Sequence, residues 1–323
     1  MRLSTRPYAA VALLVLPALL SAQPSPPEAV LCERVGDSRH PEARPRVQSV
    51  AAGAGAAAAF AQGCLRMADR RFDEAADAFE RAAKQQQGSA VYHFWLGQAY
   101  GAQAQQANVL RQPSLARRTK QEFERAVQLD PDYLDARAGL MQFYLLAPGL
   151  MGGSVDKARE QAAEVRRRDP YRGAFLAASI AQRQKDVAGA MREYQAILVQ
   201  YPDSVAPWLA LATLHAQRKE WEQAWGVVDR MVKALPEGMV GQYAVGRVAA
   251  ESGQRLDRGA AALARYLAYR PKPGEPSLAS AHWRLGAVRE AQGQREAARA
   301  EYEAALRLDP KLRGAREALD RLR

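Results

Sequence analysis

Four histidines and two cysteines are the residues of this chain best suited to metal or nucleophilic chemistry. None of the histidines has a cysteine or carboxylate at metal-ligand spacing; they are His40, His93, His215 and His282. No Gly-x-Ser-x-Gly elbow occurs that would mark a nucleophilic serine. The sequence therefore predicts no catalytic, metal-binding or cofactor-binding residues, and we expect a protein that is not an enzyme.

One glycine-rich segment could be taken for a phosphate-binding loop. It reads Gly-Leu-Met-Gly-Gly-Ser over residues 149–154 and follows Ala147-Pro148. A phosphate-binding loop needs a preceding strand and a lysine after its glycines, and this segment lacks both. We interpret it as a turn between two helices, in which Ser154 caps the helix that begins at Val155.

The elements that position these residues follow a pattern that returns about every 34 residues. Each unit contains a glycine, an alanine, an aromatic residue, a second alanine and a closing proline. In the last copy these are Gly286, Ala298, Tyr302, Ala305 and Pro310. Because proline cannot continue a helix, it ends the unit. The closing prolines are Pro131, Pro170, Pro202, Pro236, Pro271 and Pro310.

This pattern resembles the tetratricopeptide repeat (TPR) family, and the resemblance covers roughly residues 56–323. It implies an all-α, right-handed superhelical solenoid of about seven helix pairs with a carboxyl-terminal capping helix. It implies no shared reaction, because the family usually binds peptides or protein segments in a groove lined by the first helices. The predicted repeats span residues 56–89, 90–131, 134–170, 171–202, 205–236, 239–271 and 279–310, with the cap at 313–323.

The amino terminus predicts export. Arg2 and Arg6 precede an apolar run from Tyr8 to Leu20, and a proline-rich stretch follows Ala22. This layout is typical of a secretory signal peptide. We expect a signal peptide over residues 1–22 and a mature protein in the periplasm of a Gram-negative bacterium; an uncleaved anchor is the alternative. The next segment, residues 23–55, is rich in proline and charge, and we expect it to be irregular.

Both cysteines, Cys32 and Cys64, lie in the part of the chain expected to be exported. An even cysteine count in an oxidising compartment favours one disulfide. It would close a loop of about 30 residues, which in the chain-entropy model contributes roughly 3 to 4 kcal/mol. The alternative is a free Cys64 packed on the first helix of repeat one.

The chain has a net charge of +11, which can indicate nucleic-acid or anionic-surface binding. The positive residues are spread over all repeats and interleaved with Glu and Asp, apart from Arg166-Arg167-Arg168 and the carboxyl-terminal helix. We therefore expect no nucleic-acid partner. Weak contact with anionic components of the cell envelope is compatible with the charge.

The TPR resemblance implies which residues contact a partner. The fifth residue of each first helix usually faces the groove, and here that row is largely apolar or aromatic, which suits a peptide or an amphipathic helix. The alternative is packing between helices, and the row lacks the paired Lys and Asn pattern of TPRs that clamp a carboxyl-terminal peptide. The expected groove contacts are Phe60, Phe94, Phe175, Leu209, Tyr243, Arg247 and Trp283.

Repeats two and three carry extra residues at the turn inside the helix pair. The first insertion spans residues 101–118, and the second contains the glycine-rich segment described above. Together they resemble a subgroup of exported bacterial TPR proteins with a Pro and Gly-Gly loop at this turn. Both should project from one edge, where we expect a docking site; a plain structural loop is the alternative. The residues of this edge are Leu110, Arg111, Leu150 and Met151.

The sequence as a whole predicts an exported scaffold or adaptor that binds a protein or peptide partner in the cell envelope. Two alternatives come from other classes of protein. A solute-handling component that feeds a small molecule to a transporter predicts a closed apolar pocket or a pore. An enzyme without a recognisable motif predicts titratable residues with perturbed pKa values clustered in one cavity.

Overall fold

A computed structural model of the protein describes residues 27–36 and 40–322. Within these residues the chain forms seventeen α-helices and one short 3-10 turn, and it forms no strand. The predicted all-α fold class is confirmed. The predicted signal peptide over residues 1–22 lies outside the described residues and stays a prediction.

The amino-terminal segment is mostly helical in its described part, so the prediction of an irregular segment over residues 23–55 is wrong for the residues of two helices. It forms α1 (Pro27–Arg34) and α2 (Ala43–Ala51), which both pack against the first helix of repeat one. Val47 is fully buried in the same core as that helix. A few apolar residues on one face suffice here because an existing repeat supplies the rest of the core.

A disulfide joins Cys32 to Cys64, as the cysteine count predicts. The two Cα atoms lie 4.8 Å apart, and the Cys64 side chain is fully buried. The bond ties α1 to α3 (Gly55–Ala68), the first helix of repeat one. The alternative of a free, packed Cys64 is therefore wrong.

Fourteen helices follow the seven predicted repeats in order, two to each repeat, and a last helix occupies the position of the predicted cap. The first helices of the repeats are α3, α5 (Ala90–Gln106), α7 (Leu134–Leu146), α9 (Pro170–Arg183), α11 (Val205–Gln217), α13 (Met239–Ser252) and α15 (Leu278–Ala291). The second helices are α4 (Phe72–Gln85), α6 (Gln112–Leu129), α8 (Val155–Arg168), α10 (Val187–Gln200), α12 (Trp221–Ala234), α14 (Leu256–Leu267) and α16 (Arg295–Leu308). The cap is α17 (Arg313–Arg321).

The repeat glycines lie where the two helices of a pair approach each other most closely. A Cβ atom added to Gly97 on α5 would lie 2.7 Å from the ring of Phe123 on α6. In the last repeat, a Cβ atom added to Gly286 would lie 2.5 Å from the ring of Tyr302. The large residue of the second helix therefore packs onto the bare backbone of the first, which gives the pair its close packing.

The described residues divide into two compact units, of which the first ends at Lys185 and the second begins at Asp186. In the first unit, a continuous hydrophobic core runs from Cys32 to Ile180. In the second unit, α17 packs on α16 and closes the last repeat with a small apolar cluster of its own. The single solenoid over residues 56–323 stays a prediction.

Candidate interaction surfaces

Two predicted groove residues of the first unit are core residues, and their assignment to the groove is wrong. Phe60 is 2% exposed, and its ring stacks on that of Tyr92 with centroids 4.7 Å apart. Phe94 is also buried, with its ring centroid 5.8 Å from that of Phe123 and 5.3 Å from that of Tyr133. Each ring fills the space between successive repeats, so the packing alternative holds for both.

Phe175 is the member of the predicted row that stays partly accessible at the end of the first unit. It lies on α9 and is half-buried. Its ring centroid lies 5.1 Å from that of Tyr171, one helical turn earlier. The two rings give this helix a partly accessible aromatic surface.

In the second unit, the predicted row again contains both buried and partly accessible residues. Tyr243 is 8% exposed and packs on Tyr266 with ring centroids 5.3 Å apart, so its assignment to the groove is also wrong. Leu209 and Trp283 are half-buried and keep part of their apolar surface accessible. The Arg284 guanidinium lies over the Trp283 ring, 4.2 Å from its centroid, in cation–π geometry.

Leu209, Tyr243 and Trp283 come from the first helices of the second unit, which lie side by side. Helix α11 contacts α13, and α13 contacts α15. We call the surface that these three helices form the first-helix face. Side chains from successive repeats can therefore act together on it.

A polar cluster lies on the first-helix face and links all three helices. Arg247 on α13 donates a hydrogen bond of 2.6 Å from its guanidinium to the Thr213 hydroxyl on α11. Its Nε lies 3.9 Å from a carboxylate oxygen of Glu251, one turn further along α13. The other arginine of the cluster, Arg284 on α15, lies 3.0 Å from that same oxygen. One carboxylate is thus shared by two guanidinium groups.

The electrostatics of this cluster favour an incoming anion. Burial lowers the pKa of Arg247, and the charge of Arg284 lowers it further, whereas Glu251 opposes both effects. The Nε atoms of both arginines are buried and have no hydrogen-bond partner among the described residues. Because two guanidinium groups share one carboxylate, the cluster carries an excess positive charge, which suits charge-assisted hydrogen bonds to a second carboxylate.

Most of this cluster was missed at the level of sequence. Arg247 was expected at the groove, but Thr213, Glu251 and Arg284 were not. The usable signal was the repeat itself, because Thr213 and Arg247 are 34 residues apart and therefore occupy the same register in successive repeats. Reading that register across the repeats, and not only the fifth position of each first helix, would have found the pair.

The first insertion, residues 101–118, forms the end of α5, a connecting loop over residues 107–111 and the start of α6. Leu110 is 91% exposed and its neighbour Val109 is 75% exposed. Arg111, which follows them, is also exposed. The loop therefore places two aliphatic side chains and a cation on the surface, and Val109 is not among the residues expected at this edge.

The second insertion is a short 3-10 turn, Gly149–Met151, that precedes α8. Leu150 is fully exposed, whereas Met151 is half-buried. The Ser154 hydroxyl accepts the backbone N–H of Lys157 at 3.3 Å, which confirms the predicted cap of α8. The turn packs against α6, the helix that follows the first insertion. A joint docking role for the two insertions stays a prediction.

A tyrosine–glutamate hydrogen bond recurs between successive repeats of the first unit. The Tyr100 hydroxyl on α5 donates to Glu80 on α4, and the Tyr144 hydroxyl on α7 donates to Glu124 on α6. A cationic side chain lies over each ring. Burial and the hydrogen bond to glutamate raise the pKa of both tyrosines. These tyrosines lie in separate contacts between repeats and do not share a cavity, so we assign them a role in stability.

A cleft of ≈ 300 Å³ opens in the first unit beside the first insertion. Charged and amide side chains form most of its wall, together with Phe72 and Leu115. It is open and polar, unlike the closed apolar pocket that the solute-handling alternative predicts.

Within the described residues, no group of three or more His, Cys, Asp or Glu side chains is placed to hold a metal ion. None of the described helices is long and apolar enough to cross a membrane.

Several segments of the chain match protein-family models. Tetratricopeptide repeat models match residues 60–108, 150–205, 175–238 and 279–312, which together cover more than half of the chain. The chain belongs to the tetratricopeptide repeat family. The matched segments fall on the helix pairs described above, and this TPR protein is of the kind that serves as a protein-interaction scaffold. Comparison with curated protein sequences finds no match.

Solved structures share the fold of this TPR protein at low sequence identity. A tetratricopeptide repeat protein from Parabacteroides merdae is 13% identical, with a TM-score of 0.51 over 83% of this chain and 98% of that one. The Cut9–Hcn1 hetero-tetramer of the APC/C gives 11% identity and a TM-score of 0.46 over 91% of this chain and 62% of that one. The Pseudomonas aeruginosa protein pilF gives 13% identity and a TM-score of 0.44 over 82% of this chain and 97% of that one. The first of these supports the fold alone.

Proposed function

We propose that this TPR protein is an exported scaffold that binds a protein or peptide partner in the cell envelope through the first-helix face of its second unit. The observation that carries the proposal is the combination on that face of accessible apolar surface with an under-compensated pair of arginines. Leu209 and Trp283 supply the apolar surface. Arg247 and Arg284 supply the positive charge, and only Glu251 opposes it.

This combination suits a segment of protein better than a small molecule. The face spans three helices of successive repeats, so a ligand must be extended to contact Leu209 on α11 and Trp283 on α15 together. Peptides and amphipathic helices bind in this manner, with apolar anchors in shallow pockets and polar groups that fix the register. The partner that we infer carries an apolar side chain close to a carboxylate.

Two features support an exported location. The amino-terminal pattern of Arg2, Arg6 and an apolar run is that of a signal peptide. Disulfides such as Cys32–Cys64 persist in oxidising compartments, and the periplasm is one of these. A Gram-negative periplasm is therefore the location that we propose.

The test is capture of partners from a native envelope extract with the purified mature protein as bait. Leu209→Ala and Arg284→Gln should each lower the capture of a specific protein by about tenfold, the effect expected for a residue at the centre of an interface. Val199→Ala is the matched control, because Val199 is a highly exposed aliphatic residue on α10 of the same unit.

If all variants show wild-type helicity, differences in capture report on binding and not on folding. A protein that wild type and the Val199→Ala variant capture, but the two face variants do not, supports the proposal. Equal capture by all four proteins would place the binding surface elsewhere.

A further inference from the structure

The first insertion carries its apolar tip on a stretch of chain that lacks acidic residues. Residues 81–121 contain six lysine and arginine residues and no aspartate or glutamate. This stretch is an exception to the interleaved charges of the other repeats. Val109 and Leu110 lie near its carboxyl-terminal end and are its most exposed aliphatic side chains. A cationic segment therefore presents two adjacent aliphatic groups to solvent.

The two helices of repeat two hold this tip outward. Helices α5 and α6 have 17 and 18 residues, whereas α3 and α4 have 14 each. Each helix is therefore longer by about one turn. In the connecting loop, the Asn108 side-chain oxygen accepts the backbone N–H of Arg111 at 3.1 Å. We call the last turn of α5, this loop and the first turn of α6, residues 103–115, the finger.

Several arginines in and around the finger are not paired with a carboxylate of the described residues. Among the described residues, Arg70, Arg111 and Arg117 have no carboxylate within ion-pair distance. Arg70 and Arg111 come from different repeats and line the same cleft beside the finger. Two carboxylates, Asp73 and Glu74, also line it.

Those two carboxylates do not neutralise the cleft. Glu74 is held by Arg66 at 3.2 Å and by Arg71 at 2.5 Å, so its charge is already matched. Asp73 alone faces the two unpaired arginines of the cleft, Arg70 and Arg111. The base of the finger therefore keeps a net positive charge directly beside the aliphatic tip.

We propose that the finger docks on the surface of an anionic lipid bilayer. Val109 and Leu110 enter the boundary between headgroups and acyl chains, while Arg70 and Arg111 contact lipid phosphates. Apolar side chains next to cations bind anionic membrane surfaces in this way, through buried apolar area and charge attraction together. A bilayer is the occupant that fits, because a tip two residues wide offers little area for a protein interface but needs no pocket to enter lipid.

This surface belongs to the first unit, and the proposal goes beyond the partner binding proposed for the second unit. It is tested without any protein partner, by sedimentation of the purified mature protein with vesicles. One set contains phosphatidylcholine and phosphatidylglycerol in equal amounts, and the other contains phosphatidylcholine alone. We expect binding to the first set, weaker at high salt, and little binding to the second.

Variants divide the binding into its two contributions. Replacing both tip residues, Val109→Ser with Leu110→Ser, should weaken binding on the order of tenfold. Arg111→Gln should weaken it about fivefold, the effect of one cation at an anionic surface. Val199→Ser is the matched control and should bind as wild type does, because Val199 is exposed on the second unit. All positions are on the surface, and circular dichroism verifies that each variant is folded.

Three results would overturn the proposal. The first is wild-type protein that fails to sediment with anionic vesicles or sediments equally with both sets. The second is undiminished binding by the double serine variant. The third is a tip variant that loses a specific protein from an envelope extract while its vesicle binding is unchanged, because the finger would then dock on a protein.

Discussion

Gly286 lies against the Tyr302 ring in the last repeat, and this contact leaves no room for a methyl group. Because a Cβ atom there would lie 2.5 Å from the ring, both helices of the pair must shift to accept alanine. We expect Gly286→Ala to lower the free energy of unfolding of the second unit by about 1 to 3 kcal/mol, the usual cost of overpacking. Urea denaturation followed by circular dichroism measures this change.

The control for that prediction is a glycine in open space on the same unit. Gly226 lies on the exposed face of α12, and a Cβ atom added there meets nothing within 4 Å. Gly226→Ala should therefore stabilise the helix by up to about 1 kcal/mol. Equal effects of the two substitutions would show that helix propensity, and not the contact with Tyr302, governs both sites.

Tyr100 and Tyr144 predict a loss of stability at alkaline pH. Burial, together with the hydrogen bonds to Glu80 and Glu124, raises the pKa of each tyrosine in the folded state. A group whose folded pKa is raised contributes stability below its unfolded value, about 10 for tyrosine, and loses it as the pH rises beyond that value. The free energy of unfolding of the first unit should therefore fall above pH about 10.

Phenylalanine at both positions isolates this effect. The Tyr100→Phe, Tyr144→Phe double variant should lose about 1.5 kcal/mol at neutral pH for each charge-assisted hydrogen bond removed. Its stability should then depend less on pH in the alkaline range than that of wild type. Denaturation curves at a series of pH values give both quantities, and parallel pH profiles for the two proteins would contradict the assignment.

At the residue scale, the sequence pattern does not predict which side chains of the expected groove row are buried. The repeat pattern includes Gly286, and the structure shows that this glycine, like Gly97, lies where the two helices of one pair approach each other most closely. The pattern did not separate Phe60 from Leu209, although both occupy the fifth position of a first helix. Whether that position is buried depends on the neighbouring repeat, here the Tyr92 ring that stacks on Phe60, and no local pattern encodes this contact.

At the scale of elements, the disulfide attaches the amino-terminal helix to repeat one. Thiol titration of the denatured, unreduced mature protein should find no free cysteine, because Cys32 and Cys64 are bonded to each other. The Cys32→Ser, Cys64→Ala double variant should unfold with a free energy lower by about 3 to 4 kcal/mol, from lost loop closure. Two free thiols in wild-type protein would contradict the bond.

The glycine-rich turn before α8 has a structural role of its own. A Cβ atom on Gly153 would collide with the backbone carbonyl of Ala147, which belongs to the same turn. Gly153→Ala should therefore destabilise the first unit by about 1 to 3 kcal/mol. The matched control is Gly149→Ala, where an added Cβ meets nothing within 4 Å and little change is expected. Thermal denaturation of both variants checks the difference; a neutral Gly153→Ala would show that the turn is free to move.

Element boundaries followed from the sequence wherever the repeat had its usual length. The seven predicted helix pairs and the cap appear in order because glycine, aromatic and proline positions recur along the chain. The two helices between residues 27 and 51 did not follow, because they belong to no repeat and gain their stability from the core of repeat one and from the disulfide. The composition of that segment, rich in proline and charge, indicates irregular chain, because the contacts that stabilise the two helices come from residues elsewhere in the sequence.

At the scale of the whole molecule, the periodic sequence identifies the family but does not identify the partner. A repeat array has no single active centre, so its function depends on which side chains remain accessible on a shared face. In the second unit these are Leu209, Trp283 and the arginine pair. The sequence named three of these four residues, Leu209, Arg247 and Trp283, but it could not show that Arg284 shares Glu251 with Arg247.

The most direct test of partner binding on the first-helix face is photo-crosslinking in intact cells of the native host. A photoreactive amino acid is placed at position 209 of the full chain, on that face, and separately at position 199, an exposed site on α10. We predict a covalent adduct with a specific envelope protein from position 209 and none from position 199. Adduct formation that is absent at 209, or equal at both positions, would contradict the claim that the first-helix face binds a protein partner.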